Sequence, residues 1–452
     1  MPSDPIRATL ADLKARGLYR HLAALGPGEG GTRPRATLDG REVLLFASNN
    51  YLGLAADPRV VDALCRGARA WGWGAGASRL LAGHTQAHAA LEADLARFMG
   101  TEAALVFPSG YMANLGAVSA LAGRGDTVVM DRACHASLYD AAALAGAALV
   151  RYPECDAAAA AERLAAEAHA THSRAAGRLL LATDTIFSMD GRRAPLADLA
   201  AAAGRAGAVL VADEAHALGV LGATGAGLAE EVWGEPVPRG EAVRLPRGGS
   251  PEPPRLTRQS AVGQETHRAG FRLETCLGGG ACLIRIGTLS KALGGVGGFV
   301  AASRDVIDLL VNRARPFIYT TALPPAACEA AREALRLLVA EPQRRTRLHA
   351  LSRGLRRRLR EAGFDLGGAD GGGDAADAER PPTPIVPILL GDPDRALAAA
   401  AALLARGIFC PAVRPPTVPP GTSRLRVSLT AEHTEADLDA LVAALVAARD
   451  AL

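Results

Sequence analysis

Lysine is almost missing from this sequence. Only Lys14 and Lys291 occur in 452 residues, although lysine and arginine together number 50. With so much alanine and glycine, the near-exclusive use of arginine reads as compositional bias rather than function. Cysteine is sparse too. The seven, Cys65, Cys134, Cys155, Cys276, Cys282, Cys328 and Cys410, are odd in number, scattered and without a Cys-x-x-Cys pair. That excludes a disulfide framework and gives no metal site to expect, and it fits a reducing cytoplasm. No unbroken apolar run reaches the ~18–20 residues of a membrane span. No charged segment followed by an apolar core opens the chain, so no signal peptide and no membrane partner are expected; "MPSDPIRATLADLKARGLYRHL" reads instead as a short amphipathic helix. The net charge of +3 is spread along the chain, which gives no reason to expect nucleic acid.

What is present is alternation. From about Thr101, seven short apolar runs ("AALVF", "TVVM", "AALVRY", "RLLLATD", "AVLVADE", "CLIRIG", "GGFVAAS") read as buried strands. Between them "YMANLGAVSALAG", "SLYDAAALAG", "AAAAERLAAEAHA" and "PLADLAAAAGRAG" read as helices. This is an α/β pattern, a mostly parallel seven-stranded sheet covered on both faces, and ligands collect at the carboxyl ends of such strands. After Asp305 helical patterns dominate, followed by a Gly/Asp/Pro-rich loop and a smaller α+β arrangement of "PIVPILLG", "DRALAAAAALLARG", "RLRVSLT" and a closing helix from Thr434. The expected organisation is an N-terminal helix and arm over 1–47, a large α/β domain over 48–305, and a C-terminal α+β domain over 306–452. A Pro-, Arg- and Gly-rich stretch at about 230–281 without periodicity reads as a surface insertion or a functional loop.

Lys291 stands in "IGTLSKALGGVGG", between a short strand and a glycine run. It is either a chance surface lysine or an amine needed as one, since arginine stays protonated while a desolvated lysine can act as base or nucleophile. Glycine runs suggest nucleotides first. "GWGAGAS" follows a helix-like stretch rather than a strand, so it is no dinucleotide fingerprint. "VADEAH" ends a strand as in ATPases that hold Mg²⁺, but that reading needs a phosphate loop with lysine after glycine; Lys14 follows leucine and Lys291 follows serine, so it fails. Asp213 and His216 are then either a capped strand end or partners of an aromatic cation. A carboxylate beside a pyridine nitrogen keeps that nitrogen protonated, which is the electron sink of pyridoxal 5'-phosphate (PLP), and PLP also needs a Schiff-base lysine. "FPSGYMANLG" supplies a strand, the Ser109-Gly110 turn and a helix start suited to a phosphate. Thr288 can add a hydroxyl. His135, between a strand and a helix, is a structural histidine or a face for the ring.

Taken together, "SNNYLGL", "GASRLLAGHTQAHAALE", "FPSGYMAN", "DRACHASL", "FSMDG", "ADEAHALGVLG" and "GTLSKALGG" resemble the α-oxoamine synthases, a family of fold-type-I PLP-dependent transferases, from about Gly17 to the C-terminus. The resemblance implies that Lys291 binds PLP as an imine, Asp213 pairs with the pyridine nitrogen, His216 bonds the phenolate oxygen and His135 stacks on the ring and helps position substrate. It implies cofactor contacts from Ser109, Gly110 and Tyr111 and hydroxyls from Ser188 and Thr288. A homodimer with shared sites is implied as well, Thr320 or Thr321 reaching the neighbour's phosphate. "AVRPPTVPPGTSRLRVSLTAEH" and "GLYRHL" resemble the biotin-pathway branch, with Arg20, Asn50, His135, Arg414, Thr417 and Arg426 on the substrate side. That branch condenses L-alanine with a pimeloyl thioester of CoA or carrier protein and loses CO₂. The rival branch uses glycine and acetyl-CoA; a non-catalytic subunit, as in the sphingolipid branch, should have lost its lysine. Asp184-Thr185 departs from the Glu-Gly or Asp-Gly frequent in relatives, a change expected to bear on the acyl entrance.

Overall fold

Asp39-Gly40 turns the chain back on itself, both residues at positive φ (51° and 75°), the geometry a two-residue hairpin favours and this dipeptide adopts readily. The turn joins strand β2 (Gly31–Leu38) to β3 (Arg41–Leu45), and β1 (Leu25–Gly28) lies antiparallel on the other side of β2. Beyond its first helix, Pro5–Ala15, the N-terminal arm is therefore a small antiparallel sheet. The computed structural model describes residues 4–28, 31–173, 177–234, 282–368 and 380–449. From residue 235 to residue 281 the expected insertion lies outside the described residues.

The seven apolar runs form one sheet: β4 (Ala103–Phe107), β5 (Thr127–Asp131), β6 (Ala148–Tyr152), β7 (Leu179–Asp184), β8 (Val209–Asp213), β9 (Leu283–Thr288) and β10 (Gly298–Ala302), in the order β4-β10-β9-β8-β7-β5-β6. β10 is antiparallel to both neighbours; the other pairs are parallel. Every residue of β5 and β7 is buried, because helices cover both faces and a strand so placed must be apolar on both sides. Side chains alternate between two cores. Val128 and Met130 join Val118 and Leu138 from helices Gly110–Leu121 and Ala136–Ala145; Val129 joins Leu164 and Leu199 from helices Ala157–Ser173 and Leu196–Ala206. Each such fully buried aliphatic side chain contributes roughly 1.5–3 kcal/mol.

Helices Arg304–Arg313, Pro325–Ala340 and Pro342–Glu361 lead to β11 (Ile385–Gly391), helix Pro393–Leu404, β12 (Ile408–Phe409), β13 (Ala412–Val413), β14 (Ser423–Ser428) and helix Glu435–Ala447. Thr434 starts this last helix with a reciprocal cap to Asp437. β11, β14 and β13 form an antiparallel sheet, whereas β12 pairs in parallel with β3, Ile408 opposite Leu44. Ser428 N–H also donates to Phe46 O (2.8 Å) and Ala431 N–H to Tyr51 O (2.7 Å). These bonds hold the segment after β3 against the end of β14, and so bring Asn49 and Tyr51 to the site.

Two structural histidines make the fold acid-sensitive. His88 Nε2 lies 2.8 Å from Leu323 O and His349 Nε2 2.8 Å from Val220 O; burial pushes both imidazoles from 6.5 down to about 4. Between those values the unfolded chain binds protons that the folded chain refuses. Stability is therefore full above the unfolded value and falls as pH drops towards 4, by about 3 kcal/mol per histidine. His349→Gln is expected to flatten the pH dependence of the unfolding free energy across that window; an unchanged slope contradicts this.

Candidate active site

The carboxyl ends of five strands converge on one cleft. β4 leads into Ser109, Gly110 and Tyr111, β5 is followed by His135, and β7 ends in Asp184. β8 ends in Asp213 with His216 just beyond, and β9 ends in Thr288 before Ser290 and Lys291. These residues line a cavity of about 180 Å³ with Asn114, Ser137 and Ala215, where an α/β sheet presents its ligand site.

Charge is arranged with care in this space. Desolvation pulls the Lys291 amine below the usual lysine range; Asp213 and Asp184 oppose the shift and Arg426 adds to it. Asp213 accepts from Asn114 Nδ2 at 2.7 Å and from Ala215 N–H at 2.9 Å. Burial, reinforced by the charge of Asp213, pushes Asp184 well above the carboxylate range, while one of its oxygens accepts from His135 N–H (3.2 Å). His216 is buried, and desolvation, with the charges of Lys291 and Arg426, holds it well below the usual histidine range. Its Nδ1 lies 2.7 Å from Tyr51 Oη, and burial pushes Tyr51 up to about 12. His135 keeps an exposed ring edge-on to Tyr111 (centroids 6.4 Å, 81°); desolvation again pulls it down, Asp213 and Asp140 opposing and Lys291 adding. Neutral imidazoles, an amine inclined to shed its proton and one well-bonded carboxylate make a site for proton transfer.

An anion cradle completes it. Ser109 caps helix Gly110–Leu121, its Oγ accepting from Met112 N–H (3.1 Å), so the first-turn N–H groups of Gly110 and Tyr111 face outward at the positive end of the helix. The Thr288 and Ser290 hydroxyls lie 2.7 Å apart beside them. Gly298 in β10 sits under this turn, and a Cβ there would stand 2.5 Å from Gly110 N and Cα. Gly298→Ala is expected to displace the cradle and speed PLP loss at least ~10-fold, the lower range of an overpacking cost; unchanged retention after gel filtration contradicts it. The set of donors, one carboxylate, neutral histidines and one lysine amine fits PLP in phosphate, ring nitrogen, ring oxygen and aldehyde.

Other residues expected at the site fall into separate groups. Arg426 on β14 gives its Nη1 to Ser428 Oγ (2.7 Å), Nη1 and Nη2 to Asn49 Oδ1 (3.3 Å) and Nε to the carbonyl of Ser188. Its charge is felt at Lys291, His216 and Tyr51. Asn50 Oδ1 accepts from Ala55 N–H (3.1 Å), and Asn49 is the one that meets the arginine. Arg20 donates to Thr417 Oγ1 (3.0 Å) and Arg414 to Gly17 O, an exposed cluster apart from the cleft lining. Thr320 and Thr321 are also apart from it, Thr321 bridging to Ser78. Thr185 turns away from the cleft: its Oγ1 donates to Asp213 O (2.9 Å) and meets Glu214 Oε2 (3.0 Å). The departure at Asp184-Thr185 thus touches the acid pair and the core. Glu214, between the two site residues of "ADEAH", is buried against Arg285 (3.0 Å).

Sequence reasoning passed over Asn114, Ser137 and Tyr51. Asn114 carried a signal, a lone amide in the apolar helix "GYMANLGAVSAL". Tyr51 carried none, because its partner is 165 residues away.

Fold and site together define a fold-type-I PLP-dependent transferase. The sequence pattern of the family "Aminotransferase class I and II" matches residues 41–445. The 8-amino-7-oxononanoate synthase of Anaeromyxobacter dehalogenans (strain 2CP-1) is 46% identical over 98% of this chain and 95% of its own, and that of Methylococcus capsulatus 44% over 98% of both. Among solved structures, the serine palmitoyltransferase of S. paucimobilis with bound PLP–myriocin aldimine gives a TM-score of 0.79 at 29% identity, covering 99% of this chain and 97% of that one. An 8-amino-7-oxononanoate synthase from Francisella tularensis gives 0.66 at 24%, covering 90% and 98%, a likeness of fold. The chain belongs to the class I and II aminotransferase family and, within it, to the 8-amino-7-oxononanoate synthases.

Proposed function

We propose that the chain condenses L-alanine with a pimeloyl thioester, releasing CO₂ and free thiol and forming 8-amino-7-oxononanoate for biotin biosynthesis. One observation carries the chemistry: the sequence's only lysine beyond the N-terminal helix stands in the cleft with Asp213, His135 and His216. The choice of substrates is supported by the near full-length relatives.

Bound PLP supplies a sink for the electrons of the alanine Cα–H bond. Asp213 would hold the proton on the ring nitrogen by charge pairing, and the neutral His216 would serve the ring oxygen. Gly110, Tyr111 and Thr288 would hold the phosphate, with Ser109 fixing the turn. Lys291 would take the proton from Cα, and desolvation favours the neutral amine that this requires. Arg426 offers a planar fork to the substrate carboxylate, which competes with Asn49 for its Nη atoms. Arg20, Arg414 and Thr417 would form the polar end of an acyl path outside the cleft lining, and His135 would stack on the ring and help position the substrate. CoA or carrier-protein thiol would leave once the new C–C bond forms, CO₂ would leave from the resulting β-keto acid, and a proton would return to the same carbon.

We further propose a homodimer in which Thr320 or Thr321 reaches the neighbour's phosphate cradle. Large apolar side chains at Trp73, Leu81, Val296 and Tyr319, exposed by 92%, 82%, 51% and 71%, support burial by a partner. No described helix is long and apolar enough to cross a membrane, and we assign the protein to the cytoplasm, a reducing compartment that its scattered cysteines, odd in number and without a Cys-x-x-Cys pair, fit.

Carboxyl-labelled alanine tests the reaction. With pimeloyl-CoA, labelled CO₂ is expected in step with a product of the mass of 8-amino-7-oxononanoate. Retention of the label in an organic product contradicts decarboxylative condensation.

A further inference from the structure

Asn114, at the fifth position of helix Gly110–Leu121, is buried, and its Nδ2 lies 2.7 Å from Asp213 Oδ2 and 2.8 Å from Ser137 Oγ. Both amide hydrogens are used. A carboxylate only accepts, so chemistry fixes the amide with its nitrogen towards Asp213. The consequence falls on the other end. Among the described residues no donor reaches Asn114 Oδ1, which has no access to solvent, a loss that buried acceptors ordinarily avoid.

From Ser137 the bonding continues. Its Oγ is 2.7 Å from His135 Nδ1, and its backbone N–H donates to the same nitrogen at 3.3 Å. A backbone N–H cannot accept, so Nδ1 is bare and a neutral His135 carries its proton on Nε2. Ser137 Oγ receives a hydrogen from Asn114 and gives its own to Nδ1. Every bond in the series then has a fixed donor, running outward from Asn114 to Asp213 on one side and through Ser137 to His135 on the other, and Ser137 is fully buried, closed to competing water.

We propose that Asn114 is a positioning residue which, through Ser137, couples the carboxylate of Asp213 to the imidazole of His135, holding the first aimed and the second in its Nε2–H form. This rests on the reading that Asp213 and His135 flank the bound cofactor. An orphaned oxygen in the middle of the site makes sense if the two bonds of the nitrogen are what the residue is kept for; locally costly choices concentrate at functional sites. The charged groups that act on His135 are Asp213, Asp140 and Lys291, and none of them sets which ring nitrogen bears the proton. Ser137 does.

The test is ¹⁵N-histidine NMR of the full chain, cofactor-free and PLP-loaded, with Ser137→Ala, Asn114→Ala and the double variant. The parent is expected to show His135 with Nδ1 bare and Nε2 protonated. Both single variants weaken that preference and raise the His135 titration midpoint, because donors at Nδ1 favour the neutral ring. In both, kcat/KM for alanine falls about 10- to 100-fold, the range of a hydrogen bond to a charged group. The double variant falls no further than the worse single, as members of one series should. An unmoved His135 in Asn114→Ala, or losses that multiply in the double variant, overturns the proposal. Should Asn114→Ala fail to fold, an unshifted His135 Nδ1 in Ser137→Ala overturns it alone. A parent with the expected NMR signature and response but no condensation activity upholds the coupling and removes the function proposed above.

Discussion

Lys291→Arg is expected to fold, to elute as the parent does, and to turn over at least ~10⁴-fold more slowly, the upper range for losing a positioned general base. Arginine keeps the charge and the length but cannot shed a proton at working pH. It also cannot form the imine through which Lys291 is proposed to tie PLP to the chain, so the visible absorbance of the loaded protein should be lost or shifted. Lys14 cannot substitute, since it belongs to helix Pro5–Ala15 on another part of the molecule, its amine over the Tyr19 ring. A folded Lys291→Arg protein with parental turnover would leave the cleft without its assigned chemistry.

Asp213→Asn carries the second large effect. The substitution preserves shape and can still accept from Ala215 N–H, but it removes the negative charge proposed to face the ring nitrogen. An opposite charge at such range is worth about 1–3 pKa units, so kcat should fall about 10- to 10³-fold with PLP saturating. The Lys291 amine loses the larger of its two opposing carboxylates as well, which moves it further below the lysine range. Binding of PLP should weaken less than turnover does, because the phosphate cradle is untouched. Parental kcat in Asp213→Asn contradicts the role given to this carboxylate.

Much of this is legible in the sequence alone. A strand buried on both faces has to be apolar throughout, so the seven runs from "AALVF" to "GGFVAAS" announced the sheet, and the glycine-bounded helices between them announced its covering. Lys291, Asp213, His216, His135 and the Ser109-Gly110 turn stand out for the same reason: they sit at strand ends, where a parallel sheet gathers its ligands. The hairpin of the N-terminal arm had a signal in Asp39-Gly40 that a reading of the segment as helix and arm overlooked. What no local pattern carries is partnership across the chain. β3 finds β12 more than 360 residues later, Arg426 takes Asn49 rather than Asn50, and Tyr51 finds His216. Asp184-Thr185 stands out as a departure from the Glu-Gly or Asp-Gly of relatives, but no local pattern shows that the Thr185 hydroxyl goes to Asp213 O and Glu214.

The most direct measurement is thiol release by the purified, PLP-loaded protein with alanine plus pimeloyl-CoA, set against glycine plus acetyl-CoA. Release with the first pair and little with the second is the predicted result. Faster release with glycine and acetyl-CoA would contradict it, keeping the cofactor site but moving the enzyme to the glycine branch.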